Sequence, residues 1–190
     1  MSYLIATEEL SLSEQARLRQ GAANQGIARA SKLWQVAPNS LTVRDADYVN
    51  DFLVPAGVAV VAIAGWLSMP LAIVGNWYSV FASSVPAAVA PVVPTNQIWV
   101  FYKVAQLTLA GPDPVAGLQF RIGAAANLRA YFDMENINGK MVSDGYFSQP
   151  VTYENPDVCA VTVEARVAIA VGARVKLGCF IVEPLQNTVI

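Results

Sequence analysis

The chain has 190 residues, enough for one β-sandwich with extensions, and it contains no histidine and two cysteines. Without histidine, His-based catalytic triads, histidine metal sites and imidazole general bases are excluded. The net charge is −2, the twelve Lys and Arg residues are scattered, and only 14% of residues are charged, which excludes an electrostatic footprint for nucleic acid and leaves much uncharged surface.

Residues 1–46 are predicted to form an N-terminal arm, followed by a β-sandwich domain over residues 47–190. The arm lacks a basic region followed by an apolar core and a cleavage site, so we expect synthesis in a cytoplasm. Ser11 and Glu14 fit a capping box, and a short helix is predicted over residues 14–20, before two glycines interrupt it. Such a helix is marginal in water, so the arm is expected to dock on its own domain or on a partner, with a frayed terminus as the alternative.

A long uncharged segment, Val54–Gly75, reaches the length of a membrane-spanning helix. Its prolines, glycines and β-branched residues favour a strand buried on both faces, and cationic flanks are missing. We therefore predict a buried strand and no membrane partner, with a membrane-inserted protein as the alternative. The proline-rich run Ser83–Pro94 is predicted to be an apolar loop, which suggests an interface.

From residue 48 onward, turn signals separate short apolar runs, and helical periodicity is missing. We predict eight to ten strands in an all-β fold, an antiparallel β-sandwich or jelly roll. The predicted strands lie near residues 48–54, 58–67, 71–81, 97–109, 118–122, 128–132, 146–152, 159–169 and 175–181.

The last two of these strands alternate apolar and polar residues and are joined by the short run Ala170–Ala173, which predicts a hairpin. In that register Cys179 lies opposite Ala165, and Cys159 is about 20 Å away along the strand, too far for a disulfide. Both cysteines are expected to be buried, reduced thiols.

Two pairs of carboxylates are candidates for a calcium site: Asp133 with Glu135, and Asp45 with Asp47. Each pair is spaced to share one face of a strand. Neither has the glycine or the further ligands of a calcium loop, so we predict solvated side chains and no metal.

Ser143, Asp144 and Ser148 place hydroxyls near a carboxylate, but no histidine or suitably placed lysine is present to activate them. A turn is the better interpretation. Phosphate-binding and dinucleotide-binding glycine motifs are also missing. We predict no catalytic residue, no cofactor and no enzymatic activity.

Aromatic residues form the remaining group of candidates, and three tryptophans, Trp66, Trp77 and Trp99, are candidates for stacking a sugar. Neighbouring aromatics in residues 99–102 point to both faces of a strand, so packing in the core or at a subunit contact is the favoured interpretation.

Five short motifs occur in order in the C-terminal half, and together they resemble jelly-roll virion proteins of tailed bacteriophages. They are Gln97–Tyr102, Phe120–Gly123, Tyr131–Glu135, Gly145–Pro150 and Gly178–Pro184. The resemblance implies a cement or decoration protein that sits on the outside of the head shell as an oligomer, often a trimer, and clamps neighbouring capsomers. It implies no catalytic residue.

The sequence thus predicts a structural virion protein that forms a homo-oligomer, expected to be a trimer, on the capsid surface and stabilises the major capsid protein shell. The alternatives are a carbohydrate-binding jelly-roll module of a virion tail or vertex, and a membrane-inserted virion protein.

Overall fold

A computed structural model describes residues 2–46, 61–63, 66–80, 91–107, 111–123 and 127–185. These residues form one α-helix, two short 3-10 helices (Thr7–Glu9 and Pro38–Ser40) and eleven strands. Helix α1 spans Leu12–Trp34. The strands are β1 Leu4–Ala6, β2 Leu41–Asp45, β3 Val61–Ile63, β4 Trp66–Leu71, β5 Trp77–Ser79, β6 Ile98–Leu107, β7 Val115–Ile122, β8 Asn127–Asp133, β9 Asp144–Glu154, β10 Cys159–Ala165 and β11 Ile169–Pro184.

The strands form two antiparallel sheets. The larger sheet has the order β1-β9-β6-β11-β4-β3, with β2 pairing along the second half of β11, and the smaller has the order β5-β10-β7-β8. The main hydrophobic core draws residues from both sheets, among them Phe101 and Phe120. The predicted all-β sandwich is confirmed.

Alternation along the strands correctly identified the buried faces. In β7, Leu118 and Phe120 are fully buried while Gln119 and Arg121 between and beyond them are half-buried. In β10 and β11 most of the predicted inward residues are also buried: Cys159, Val161, Val163 and Ala165, then Val175, Leu177, Cys179 and Ile181. Val167 and Ile169, predicted to share the inward face of the first strand, are half-buried beyond its end at Ala165. The predicted strand 71–81 is wrong in its first half: β4 ends at Leu71, a turn containing Gly75 (φ +79°) follows, and β5 begins at Trp77.

Helix α1 is much longer than predicted. The capping box is present, since the Ser11 N–H donates to Glu14 Oε2 at 2.8 Å and the Glu14 N–H donates to Ser11 Oγ at 3.3 Å. However, the helix continues through Gly21 and Gly26, which were expected to interrupt it. Gly26 is buried against the sheet, so packing offsets its weak helix propensity.

Residues 1–46, predicted to form an N-terminal arm, pair and pack with the larger sheet. Strand β1 pairs with β9, strand β2 pairs with β11, and α1 packs on the outer face of the larger sheet. A second hydrophobic cluster fills the space between helix and sheet: Ala22, Ala23, Ala30, Leu41, Ile98, Val100, Phe180 and Val182. The helix finds the surface it needs on its own sheet.

The predicted hairpin between β10 and β11 is not formed, because the two strands belong to different sheets. Strand β10 pairs with β5 and β7, whereas β11 pairs with β6, β4 and β2. The offset calculated for Cys159 and Cys179 therefore does not apply. Both cysteines are nevertheless thiols buried in the main core, as predicted, and burial raises the pKa of the Cys159 thiol well above its ordinary value.

Several predictions concern residues outside the described ranges: the strand at 48–54, residues 54–60 and 64–65 of the segment Val54–Gly75, and most of the loop Ser83–Pro94. The described parts of Val54–Gly75 include β3 and β4. None of the helices in the described ranges is both long enough and apolar enough to cross a bilayer.

Helix α1 is joined to the end of β9 by an ion pair. Arg29 donates through Nε and Nη2 to the two carboxylate oxygens of Glu154, each at 2.6 Å. The hydrogen bond from Arg29 lowers the pKa of Glu154 below its ordinary value of 4.5. The pair therefore stabilises the fold above that pH, and its contribution is lost as pH falls below it.

We expect Arg29→Met to lower the unfolding free energy by about 0.5–1 kcal/mol at neutral pH, a modest effect because the guanidinium is half exposed. In urea titrations the difference from the unsubstituted chain should shrink as the pH falls below 4.5 and vanish once Glu154 is protonated. An undiminished difference at acidic pH would show that Arg29 acts through packing of its alkyl chain.

Candidate interaction surface

The sequence-predicted aromatic candidates lie in different environments. Trp99 is 2% exposed and belongs to the main core, so the structure rules it out as a sugar platform. Phe101 is fully buried, and Trp66 is half-buried. Trp77 is 38% exposed on the outer face of the smaller sheet. The preference for packing in the core or at a contact within residues 99–102 was thus correct for Trp99 and Phe101, which lie in the core.

The candidate carboxylates and hydroxyls have structural partners. Asp133 Oδ1 accepts from the Glu135 N–H at 2.9 Å, while Glu135 pairs with Arg166 at 2.8 Å. Asp47 lies outside the described residues. Within the described ranges, no group of three or more His, Cys, Asp or Glu residues is placed to hold a metal ion.

The predicted turn around Ser143 gives way to strand β9, which begins at Asp144. Ser143 Oγ donates to Asp113 Oδ1 at 2.8 Å, and Ser148 Oγ accepts from the Tyr3 N–H at 2.9 Å. Asp144 forms an ion pair with Lys103, whose Nζ lies 2.5 Å from Oδ2. These contacts assign the three residues to holding strands and loops together.

The topology gathers four connections at one end of the sandwich. Strands β4, β6, β8 and β10 end there, and β5, β7, β9 and β11 begin there. We call this region the loop end and define it by residues 72–76, 107, 111–114, 134–143 and 166–168. Backbone hydrogen bonds tie three connections together: Gly75 N–H to Ala165 O at 2.8 Å, and Arg166 N–H to Pro114 O at 2.7 Å.

Buried residues anchor the connection 134–143 on the side that faces the core. Met134 is 1% exposed and Ile137 is fully buried, so both anchor the connection in the main core. The buried Gln106 bonds to Asn138 Oδ1, and Asn138 Nδ2 donates to Val115 O at 3.0 Å. These bonds satisfy polar groups that would otherwise destabilise the core.

Asp113 holds the second half of the same connection, residues 139–143. Its carboxylate accepts from the Gly139 N–H at 2.6 Å and from Ser143 Oγ at 2.8 Å. Gly139 has φ +74°, which a residue with a side chain rarely adopts, and Asn138-Gly139 forms one of the turns that separate the strands. The chain between these two contacts is held as a fixed loop.

The loop end presents apolar side chains to solvent. Met141 is 94% exposed and Val142 is 54% exposed, on the loop held by Asp113. Together with Trp66 and Leu107 they line one cavity of about 370 Å³. Ile73 and Val74 are also exposed, on another connection of the loop end. Clustered exposed apolar residues on fixed loops are typical of a protein-interaction surface.

Charged residues border this apolar region in ion pairs. Lys140 Nζ lies 2.8 Å from Glu9 Oε1 and 3.5 Å from Glu8 Oε1, and the hydrogen bond to Glu9 raises the pKa of Lys140. Arg166 pairs with Glu135 on the opposite side. With these charges matched, the loop end has a hydrophobic rather than an ionic character.

The sequence did not reveal this surface. Met141 and Val142 form a short apolar pair between turn signals, indistinguishable in the sequence from residues that fold inward, such as Met134 and Ile137. The chain matches no protein-family model, no curated protein and no solved structure. The resemblance in motif order to phage jelly-roll proteins stays a prediction.

Proposed function

We propose that the chain is a structural virion protein, a cement or decoration protein that oligomerises on a viral capsid and stabilises its shell. In this proposal it is a homotrimer on the capsid surface, its partner is the major capsid protein shell, and no catalysis is involved. The loop end is the observation that carries the proposal: a fixed, apolar, charge-matched surface suits permanent association with another protein.

The strand pairing supports the jelly-roll part of this proposal. Strands β4 to β11 pair as β4 with β11, β5 with β10, β6 with β9 and β7 with β8. A long antiparallel ribbon folded over into two sheets gives this nested pairing, which is the arrangement expected of an eight-stranded jelly roll.

The docking surface in this proposal differs from the one the sequence suggested. Helix α1 packs on its own sheet through Gly26 and its neighbouring alanines, so its buried face is not free for a shell. The loop end, in contrast, leaves Met141 and Val142 exposed. We therefore place shell contact at the loop end, where burying apolar area contributes about 25 cal/mol per Å² at each repeated site.

The first test is the native mass of the full-length chain in detergent-free buffer, followed by co-sedimentation with empty shells of the major capsid protein from the same virus. We expect a discrete trimer that sediments with the shells at a fixed ratio to capsomers. A soluble monomer that stays in the supernatant at saturating concentration would contradict the proposal.

Replacing Met141 and Val142 together by glutamate is expected to abolish co-sedimentation, because two charges would be buried against an apolar partner surface. Both side chains are exposed, so the unfolding free energy should change by less than about 0.5 kcal/mol per substitution. Leu33→Glu is the matched control, since Leu33 is 46% exposed near the far end of α1. Equal binding by the double variant and the control would remove the loop end from the interface.

A further inference from the structure

The two outer faces of the sandwich differ. Helix α1 packs on the larger sheet, whereas no described helix packs on the outer face of the smaller sheet β5-β10-β7-β8. Inward residues of the smaller sheet, such as Phe120 and Val161, are fully buried. Alternation therefore turns their neighbours outward: Trp77 on β5, Glu164 on β10, Gly117 and Gln119 on β7, and Tyr131 on β8.

Strand register brings two aromatic rings together on this face. Trp77 lies beside Glu164, Glu164 lies beside Gly117, and Tyr131 lies beside Gln119. The ring centroids of Trp77 and Tyr131 are 6.4 Å apart at an interplanar angle of 63°. The rings remain 38% and 42% exposed, so packing against each other leaves much of both surfaces free.

Gly117 lies on the sheet between the two rings, and its lack of a side chain leaves room for them. A Cβ at this position would lie 3.1 Å from Tyr131 Cε2, 3.2 Å from Trp77 Cη2 and 3.2 Å from Glu164 Oε2. A side chain there would push the rings apart. The glycine therefore lets a tryptophan, a tyrosine and a carboxylate converge at one place on an otherwise open sheet.

Polar groups beside the rings are oriented for hydrogen bonding. Arg121 Nε donates to Gln119 Oε1 at 2.9 Å, which occupies the amide oxygen and leaves the amide NH₂ as a donor. Glu164 supplies acceptor oxygens next to Trp77. The charged residues named on this face are Arg121 and two carboxylates, Glu164 and Asp133, so electrostatic complementarity disfavours an anionic ligand.

We propose that this face binds a neutral pyranose polysaccharide. The apolar C–H face of a sugar ring packs on Trp77 and Tyr131, while its hydroxyls donate to Glu164 and accept from the Gln119 amide. This inference does not rest on shell binding, because different side chains carry it: Trp77 and Tyr131 on the sheet face, and Met141 and Val142 at the loop end. A particle coated with the chain would then adhere to a polysaccharide surface.

The test is isothermal titration calorimetry of the full-length chain with three neutral hexasaccharides: cellohexaose, hexa-N-acetylchitohexaose and maltohexaose. We expect at least one of these hexasaccharides to bind and Trp77→Ala or Tyr131→Ala to weaken that binding by about tenfold or more, as truncation of an aromatic anchor does. Leu33→Ala is the control, and its affinity should be unchanged. Thermal unfolding of each variant establishes that it is folded.

Gly117→Ala provides a second variant that leaves every ligand-contacting group in the chain. It is expected to weaken binding by displacing the rings, whereas Gly21→Ala, at a position with open space, is expected to have no effect on affinity. Three results would overturn the proposal: no heat of binding with any of the three hexasaccharides, equal affinity for folded Trp77→Ala, or loss of an oligomer in Trp77→Ala without sugar binding. The last result would assign the face to contact between copies of the chain.

Discussion

Replacing Phe120 by alanine is expected to lower the unfolding free energy by about 3–5 kcal/mol, the range for removing a large buried aromatic side chain. Phe120 is fully buried on β7, in the smaller sheet. Its ring centroid lies 5.3 Å from that of Phe101 and 5.4 Å from that of Phe147, both on the larger sheet, and 6.0 Å from that of Phe132 on β8. The ring therefore packs between the two sheets, and its removal leaves a cavity between them.

Urea unfolding followed by circular dichroism measures this change, and Leu128→Ala on the neighbouring strand is the control. Leu128 is 54% exposed, so its truncation should change the unfolding free energy by no more than about 0.5 kcal/mol. A loss below about 1 kcal/mol for Phe120→Ala would mean that the surrounding rings collapse into the space, which the close packing of protein interiors disfavours.

The sequence predicted the strands well because their buried faces repeat with a period of two. Leu118 and Phe120 on β7, and Val161 and Val163 on β10, are recognisable from alternation alone and are all buried. The capping box at Ser11 was equally local, since it depends on residues three apart. Features that depend on neighbours in sequence were therefore available before the structure.

Features that depend on contacts between distant parts of the chain could not be predicted from the sequence. A short connection predicts a hairpin, but the chain from Ala165 to Ile169 crosses from the smaller sheet to the larger one instead. Likewise, intrinsic propensity ends the helix before Gly21, whereas packing against the larger sheet extends it to Trp34. In both cases tertiary packing overrides the local signal.

The two candidate surfaces also combine local features, which the sequence shows, with contacts between distant residues, which it does not. Trp77 was identified from composition, but its partner Tyr131 comes from a strand more than 50 residues later and is placed beside it only by the pairing of four strands. At the loop end, exposure of Met141 depends on Asp113 holding the loop from another connection. Sequence patterns identify residue types suited to an interface, while the fold decides which of them reach solvent.

Alanine substitutions at the two glycines of helix α1 are expected to have opposite effects on stability. Gly26 is buried, and a Cβ there would lie 2.7 Å from Val182 Cγ2 and 2.8 Å from Val100 Cγ2. Valine side chains are stiff at χ1, so the methyl groups cannot rotate away and the helix must move off the sheet. Overpacking costs about 1–3 kcal/mol, which exceeds the gain of about 1 kcal/mol in helix propensity.

Gly21 is exposed on the same helix, and a Cβ there meets nothing within 4 Å. Gly21→Ala is therefore expected to raise the unfolding free energy by about 1 kcal/mol, because the helix gains propensity without a clash. Urea titrations of the two single variants and the double variant measure both effects. Since the sites are more than one helical turn apart, the double variant should equal the sum within about 0.5 kcal/mol. Stabilisation by both alanines would contradict the close contact of the helix with Val100 and Val182.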